Sequence, residues 1–134
     1  MRAAVRVLDS YSLIAYLEGE SGSGEMVEIF KLARDSGRGL YLSVINWGEV
    51  YYITLREAGR QQAEHVAHII STLPIQIVPA DQELAQRAAE FKANKKMSYA
   101  DCFAAALTKL RRAELVTGDK EFQQVEGDIK ICWI

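Results

Sequence analysis

Cysteine is scarce in this chain: two in 134 residues, Cys102 and Cys132. Both sit in apolar company, so a disulfide framework is set aside and reduced core thiols are expected. Histidine is equally rare. His65 and His68 lie three apart on a helical stretch without a further soft ligand nearby, which argues against zinc. No apolar run reaches the roughly 20 residues of a membrane span. The opening MRAAVRVLDS also lacks the long apolar segment of a secretory signal, so a cytoplasmic protein without a membrane partner is expected. A strong charge excess is missing too. The formal net charge is −2, against a strongly basic binder of nucleic acid. Repeats, low-complexity tracts and linkers are absent, and 134 residues suit a single domain over 1–134 with a proper core.

What is present is an alternation of short apolar runs and amphipathic stretches. Val5–Leu8 reads as a strand passing through Asp9-Ser10 into a helix over Tyr11–Leu17. Glu18–Gly24 is a turn-rich break. A helix follows over Glu25–Asp35, then a strand at Leu40–Ser43 and helices over Val44–Ala58 and Arg60–Leu73. Strand-like Ile75–Val78 precedes a helix over Asp81–Asn94. After Lys95-Lys96 comes Ser98–Leu110, then a strand at Glu114–Thr117, a turn at Gly118-Asp119, a short helix over Lys120–Gln124 and a last strand at Ile129–Cys132. This alternation predicts an α/β domain whose sheet is mainly parallel and covered on both faces.

Ser98–Leu110 organises the rest. SYADCFAAALTKL is apolar on nearly every face, the pattern of a buried helix, yet its first turn carries Asp101. Ser98-x-x-Asp101 has capping-box spacing, and Asn46-x-x-Glu49 repeats it. Capping would explain either acid alone. Four acids nevertheless fall at equivalent places: Asp9 after the first strand, Glu49 early in the helix after the second, Asp101 opening the central helix, and Asp119 after Leu115–Thr117. In a parallel sheet these positions share one edge, where such folds hold ligands.

Four carboxylates in one crevice repel. A like-charge pair ~4 Å apart costs about 4 kcal/mol at an effective dielectric near 20. All-oxygen ligands suit Mg²⁺ or Mn²⁺, one or two ions, rather than Zn²⁺. The natural chemistry of such a site is phosphodiester hydrolysis. With the four acids set aside as neutralised, the remaining surface moves from −2 to +2.

The segments VLDSYSLIAYL, SVINWGEVYY, SYADCFAAAL and LVTGDKEF, in this order and spacing, resemble the signature blocks of PIN-domain proteins. More narrowly they are similar to the VapC-type ribonuclease toxins of toxin–antitoxin pairs, and the resemblance covers essentially the whole chain. It implies a three-layer α/β/α sandwich and a metal-dependent endoribonuclease. By that resemblance Asp9 and Asp101 are the principal metal ligands, and Glu49 helps hold metal or activate water. Asp119 completes the quartet, Ser10 and Thr117 are supporting hydroxyls, and Phe122 is a packing aromatic. It further implies an RNA substrate, a homodimer and a cognate antitoxin lying over the site.

Lys95 and Lys96 are candidates for steering an RNA backbone, whereas Arg111 and Arg112 suit the negative end of the central helix. Trp47, Tyr51 and Tyr52 are expected to split between core and an interface with another chain. Two other readings remain open at this point. One is a PIN nuclease of RNA processing or DNA repair. The other is a divalent-ion or phospho-acceptor module, weakened because Asp9 has no acidic neighbour in sequence.

Overall fold

Residues 4–134 are described by a computed structural model. The first β-branched run forms β1, Arg6–Leu8, and one residue later α1, Ser10–Glu18, begins. A second helix, α2, covers Ser23–Ser36, starting earlier than its apolar spacing suggests because Gly22 supplies the cap position at φ 96°. Strand β2, Leu40–Ser43, runs without any loop into α3, Val44–Ala58. Gly59, at φ 87°, turns the chain into α4, Arg60–Thr72. Then follow β3 (Ile75–Val78), α5 (Gln82–Asn94), α6 (Tyr99–Leu110), β4 (Glu114–Thr117), a 3-10 turn over Lys120–Val125, and β5 (Lys130–Trp133).

The last strand is shifted by one residue from the sequence expectation. Ile129 is apolar, but it closes the 3-10 turn, its N–H donating to Val125 O at 3.0 Å, and its side chain is buried in the core there. Pairing then starts at Lys130, opposite Glu114.

All five strands are parallel, in the order β3-β2-β1-β4-β5. Successive strand residues face opposite sides of a sheet. Val7 and Leu115 accordingly enter one core with Leu84, Ala88 and Phe103 from α5 and α6. Leu8 and Val116 enter the other with Leu13, Met26, Val50 and Val66 from α1 to α4. This is the three-layer α/β/α arrangement. Each fully buried Leu or Val in these layers contributes about 1.5–3 kcal/mol.

Helix α6 is the buried one. Every residue from Cys102 to Thr108 is buried, and Thr108 satisfies its hydroxyl on Ala104 O at 2.8 Å. Its run of alanines lets it pack across β1, β2 and β4. Cys102 is a free buried thiol and Cys132 a free, half-buried one. Strand order reverses between β1 and β4, so a crevice opens at their carboxyl ends. The first turn of α6 lies at that edge.

Candidate active site

Asp9 is the lone residue between β1 and α1, and it caps the helix. Its Oδ1 accepts from Ser12 N at 2.8 Å and its Oδ2 from Thr117 Oγ1 at 2.6 Å. It is 1 % exposed. Burial pushes its carboxyl up to about 6, against the bonds from Thr117 and Ser12, with Asp119 adding to the upward push. Thr117, fully buried, joins two of the acids: it donates to Asp9 and accepts from Asp119 N at 3.0 Å.

Across the crevice, Ser98 caps α6 and its Oγ accepts from Asp101 N at 3.1 Å, one half of the expected capping box. The half-buried Asp101 carboxyl is pushed up to about 7. Burial is the main cause, followed by the negative charges of Asp9, Asp119 and Glu49; the Ser98 bond opposes them. Asp119 caps the 3-10 turn, its Oδ1 accepting from Glu121 N at 3.0 Å. That turn delivers an acid the sequence reading missed. Carboxylate oxygens of Asp101, Asp119 and Glu121 lie within 4.8 Å of one another. The signal was the Asp119-x-Glu121 spacing: Asp119 caps the turn by accepting from Glu121 N, and this holds the two acids together.

Glu49 arrives from the second turn of α3, with its Oε1 accepting from Ser10 Oγ. The second capping box is overturned. Helix α3 begins directly after β2, so Ser43 is its cap, with Oγ accepting from Ile45 N at 3.2 Å. Asn46 is therefore an interior residue, fully buried. Its Nδ2 donates to Ser10 Oγ at 3.3 Å and Ala100 O at 3.2 Å, tying α3 to α1 and α6. Its Oδ1 is buried without a hydrogen-bond partner among the described residues.

The charges of Asp9, Asp119 and Glu49 all act on Asp101; Thr117 links Asp9 to Asp119, and Ser10 binds Glu49. The three acids whose oxygens lie close enough to share one ion are Asp101, Asp119 and Glu121, not Asp9 or Glu49. Among the described residues no site acid forms an ion pair. The remaining candidates lie elsewhere or serve packing. Lys96 is clamped by its backbone against the 3-10 turn, its N–H donating to Gln124 Oε1 at 3.0 Å and its O accepting from Gln124 Nε2 at 3.2 Å. Half-buried Lys95 lines a cavity of about 590 Å³ with Arg87, Phe91 and Lys109. His65 and His68 are exposed on α4, Phe122 is fully buried, and Arg111 lies over the Tyr41 ring at 4.5 Å. Trp47 stacks on Tyr51 at 5.4 Å, whereas Tyr52 is exposed.

An all-oxygen cluster on four segments, held in register by Thr117, Ser10 and Asn46, has the donor chemistry of a hard divalent cation. It is also the place where such sheets bind ligands.

Three solved structures share the architecture. DNA-bound VapBC from Salmonella typhimurium aligns with TM-score 0.78 at 18% identity, covering 97% of this chain and 98% of that one. VapBC2 from Rickettsia felis, bound to a DNA fragment from its promoter, gives TM-score 0.74 at 16% identity, with 97% and 98% covered. VapC20 from Mycobacterium tuberculosis, a toxin that cleaves the sarcin-ricin loop, gives 0.68 at 16%, with 90% and 94% covered. At these identities the likeness establishes the fold. No curated relative matches the sequence significantly. The PIN domain model matches residues 6–128, a span that takes in all six helices and the first four strands, and on that match the chain belongs to the PIN-domain family.

Proposed function

We propose that this chain is a divalent-metal-dependent endoribonuclease and the toxin of a toxin–antitoxin pair. The observation that carries the reading is the set of acids, Asp9, Glu49, Asp101, Asp119 and Glu121, gathered at the β1/β4 crevice with no ion-pair partner among the described residues. Its donor set fits Mg²⁺ or Mn²⁺: oxygen only, with neither thiol nor imidazole in the group. Asp9 and Asp101 would hold the metal as principal ligands, joined by Asp119 and Glu121. When bound, such an ion supplies an activated water and charge stabilisation at the scissile phosphate.

The chain's own residues do the rest. Thr117 fixes Asp9 and Asp119 relative to each other. Ser10 orients Glu49, which is left with a free carboxylate oxygen to take a proton from water. Asn46 fixes the spacing of α1, α3 and α6 around the cluster. With its carboxyl pushed up to about 7, Asp101 is divided between its neutral and charged forms at neutral pH, and a bound cation would favour the charged one.

Support for an RNA substrate comes from the family and from VapC20, a structural neighbour that cleaves the sarcin-ricin loop. Support for an antitoxin comes from neighbours that are toxin–antitoxin complexes. A homodimer, one catalytic unit over 1–134 and action on cytoplasmic RNA complete the reading. Purified protein should cleave structured RNA with Mg²⁺ or Mn²⁺ but not with EDTA, and Asp101→Asn should be inert. Undiminished cleavage in EDTA, or by the folded variant, would sink the proposal.

A further inference from the structure

Tyr11 stands in the first turn of α1, one residue after Ser10 and two after Asp9. Its neighbours Ser10 and Ser12 are buried, yet Tyr11 remains 42 % exposed. Its ring is seated on Gly118, the residue between Thr117 and Asp119. A Cβ at Gly118 would fall 2.4 Å from Tyr11 Cε1 and 3.0 Å from Cζ, so any other residue there would displace the ring. The aromatic is thus fixed on the same loop that carries Asp119, with much of its surface open to solvent. Tyr99, the exposed aromatic beside Asp101, is engaged differently. Its ring meets Phe103 edge-on at 4.9 Å and its hydroxyl donates to Ala85 O at 3.4 Å, within the α5–α6 pair.

The charge distribution gives Tyr11 a task. The chain carries a net −2 and its site acids have no cationic partner among the described residues. Phosphate attraction by the protein itself is therefore weak at this edge. Aromatic stacking adds to single-strand binding whatever the sequence, since every base presents a π-face.

We propose that Tyr11 is a stacking platform for a nucleobase of single-stranded RNA next to the cleaved phosphate. It is a positioning residue, and the inference rests on the ribonuclease reading above. The test uses oligoribonucleotides carrying 2-aminopurine at successive positions, bound to the full chain in an Asp101→Asn background that prevents turnover. Tyr11→Leu keeps an apolar side chain over Gly118 but has no π-face, while Tyr11→Phe and Tyr11→Trp keep one.

Leu should weaken binding about tenfold to a hundredfold and abolish the stacking quench at one position, whereas Phe and Trp retain both. With Asp101 intact, Tyr11→Leu should raise KM far more than it lowers kcat. Unchanged binding and quench in the Leu variant overturn the proposal, as does equal loss in the Phe and Trp variants, which would indicate packing alone. If wild type cleaves RNA with metal while Tyr11→Leu keeps its KM, only the stacking role falls. If wild type neither cleaves nor binds RNA, both readings fall.

Discussion

The two edges of the sheet treat acidic residues in opposite ways. At the amino edge, Glu114 opens β4 directly opposite Arg6 of β1, and Nε meets Oε1 at 2.7 Å. About 10 Å further along, at roughly 3.3 Å of rise per residue, β1 gives way to Asp9 and β4 ends at Thr117, two residues before Asp119. There no cation answers them among the described residues. The chain has 16 Lys and Arg to draw on, so the bare acids reflect placement rather than shortage. Pairing at one end secures β1 against β4. Leaving charge unpaired at the other reserves it for something that comes from outside.

The sharpest way to break this contrast is to neutralise one acid at each edge. Asp9→Asn should lower metal-dependent RNA cleavage by on the order of 100-fold or more, while Glu114→Gln leaves the rate unchanged. Equal rates in both variants would erase the distinction. Next in size is Asn46→Leu, which removes the tie between α3, α1 and α6. Cleavage should fall roughly 10- to 100-fold, the usual range for residues that orient metal ligands, with the fold retained by circular dichroism. Thr117→Val sharpens the same point through pH. It deletes a bond that holds the Asp9 carboxyl down, so the acidic limb of the rate profile should move to higher pH.

Stability should show the contrast as well. Asp101 titrates near 7 in the fold against 3.8 for the free side chain, so the folded state holds its proton more tightly. Its contribution is complete below pH 4 and is lost as pH rises through 7. Metal-free protein should therefore melt lower at pH 8 than at pH 5. Asp101→Asn should flatten that slope, and Mg²⁺ should raise Tm more at pH 8 than at pH 6, by about 3–6 °C. A Tm that rises steadily over this range would contradict the buried cluster. The smallest effect belongs to the amino edge: Arg6→Met should cost about 0.5–1 kcal/mol in urea unfolding and leave cleavage intact.

Much of this was legible in the chain itself, for reasons that differ by region. Strands such as Leu40–Ser43 and Glu114–Thr117 match their apolar runs because both faces of a parallel sheet are buried. That Asp9, Glu49, Asp101 and Asp119 would come near one another was legible because position relative to strand ends is a sequence property once the strands are known. Glu121 was not, because an acid two residues into an exposed turn looks like any surface acid until the turn's geometry is seen. Asn46 misled for a different reason. Its spacing to Glu49 imitates a cap, and only the absence of a loop after β2 shows that Ser43 holds that place. The one-residue error at β5 has the same origin: Ile129 is apolar for the core under a turn, not for the sheet.

That missing loop has a further consequence. With no residue between Ser43 and Val44, helix α3 inherits its rotational phase from strand β2. Inserting one residue there would turn the helix by about 100°, carrying Asn46 and Glu49 away from Ser10 together. The link from β1 to α1 is almost as tight, being Asp9 alone, whereas Pro79 to Asp81 separate β3 from α5, which carries no site acid. Length variation in a lineage of such chains should therefore be confined to the slack joints, while the two geared ones keep their residue count even as their side chains drift.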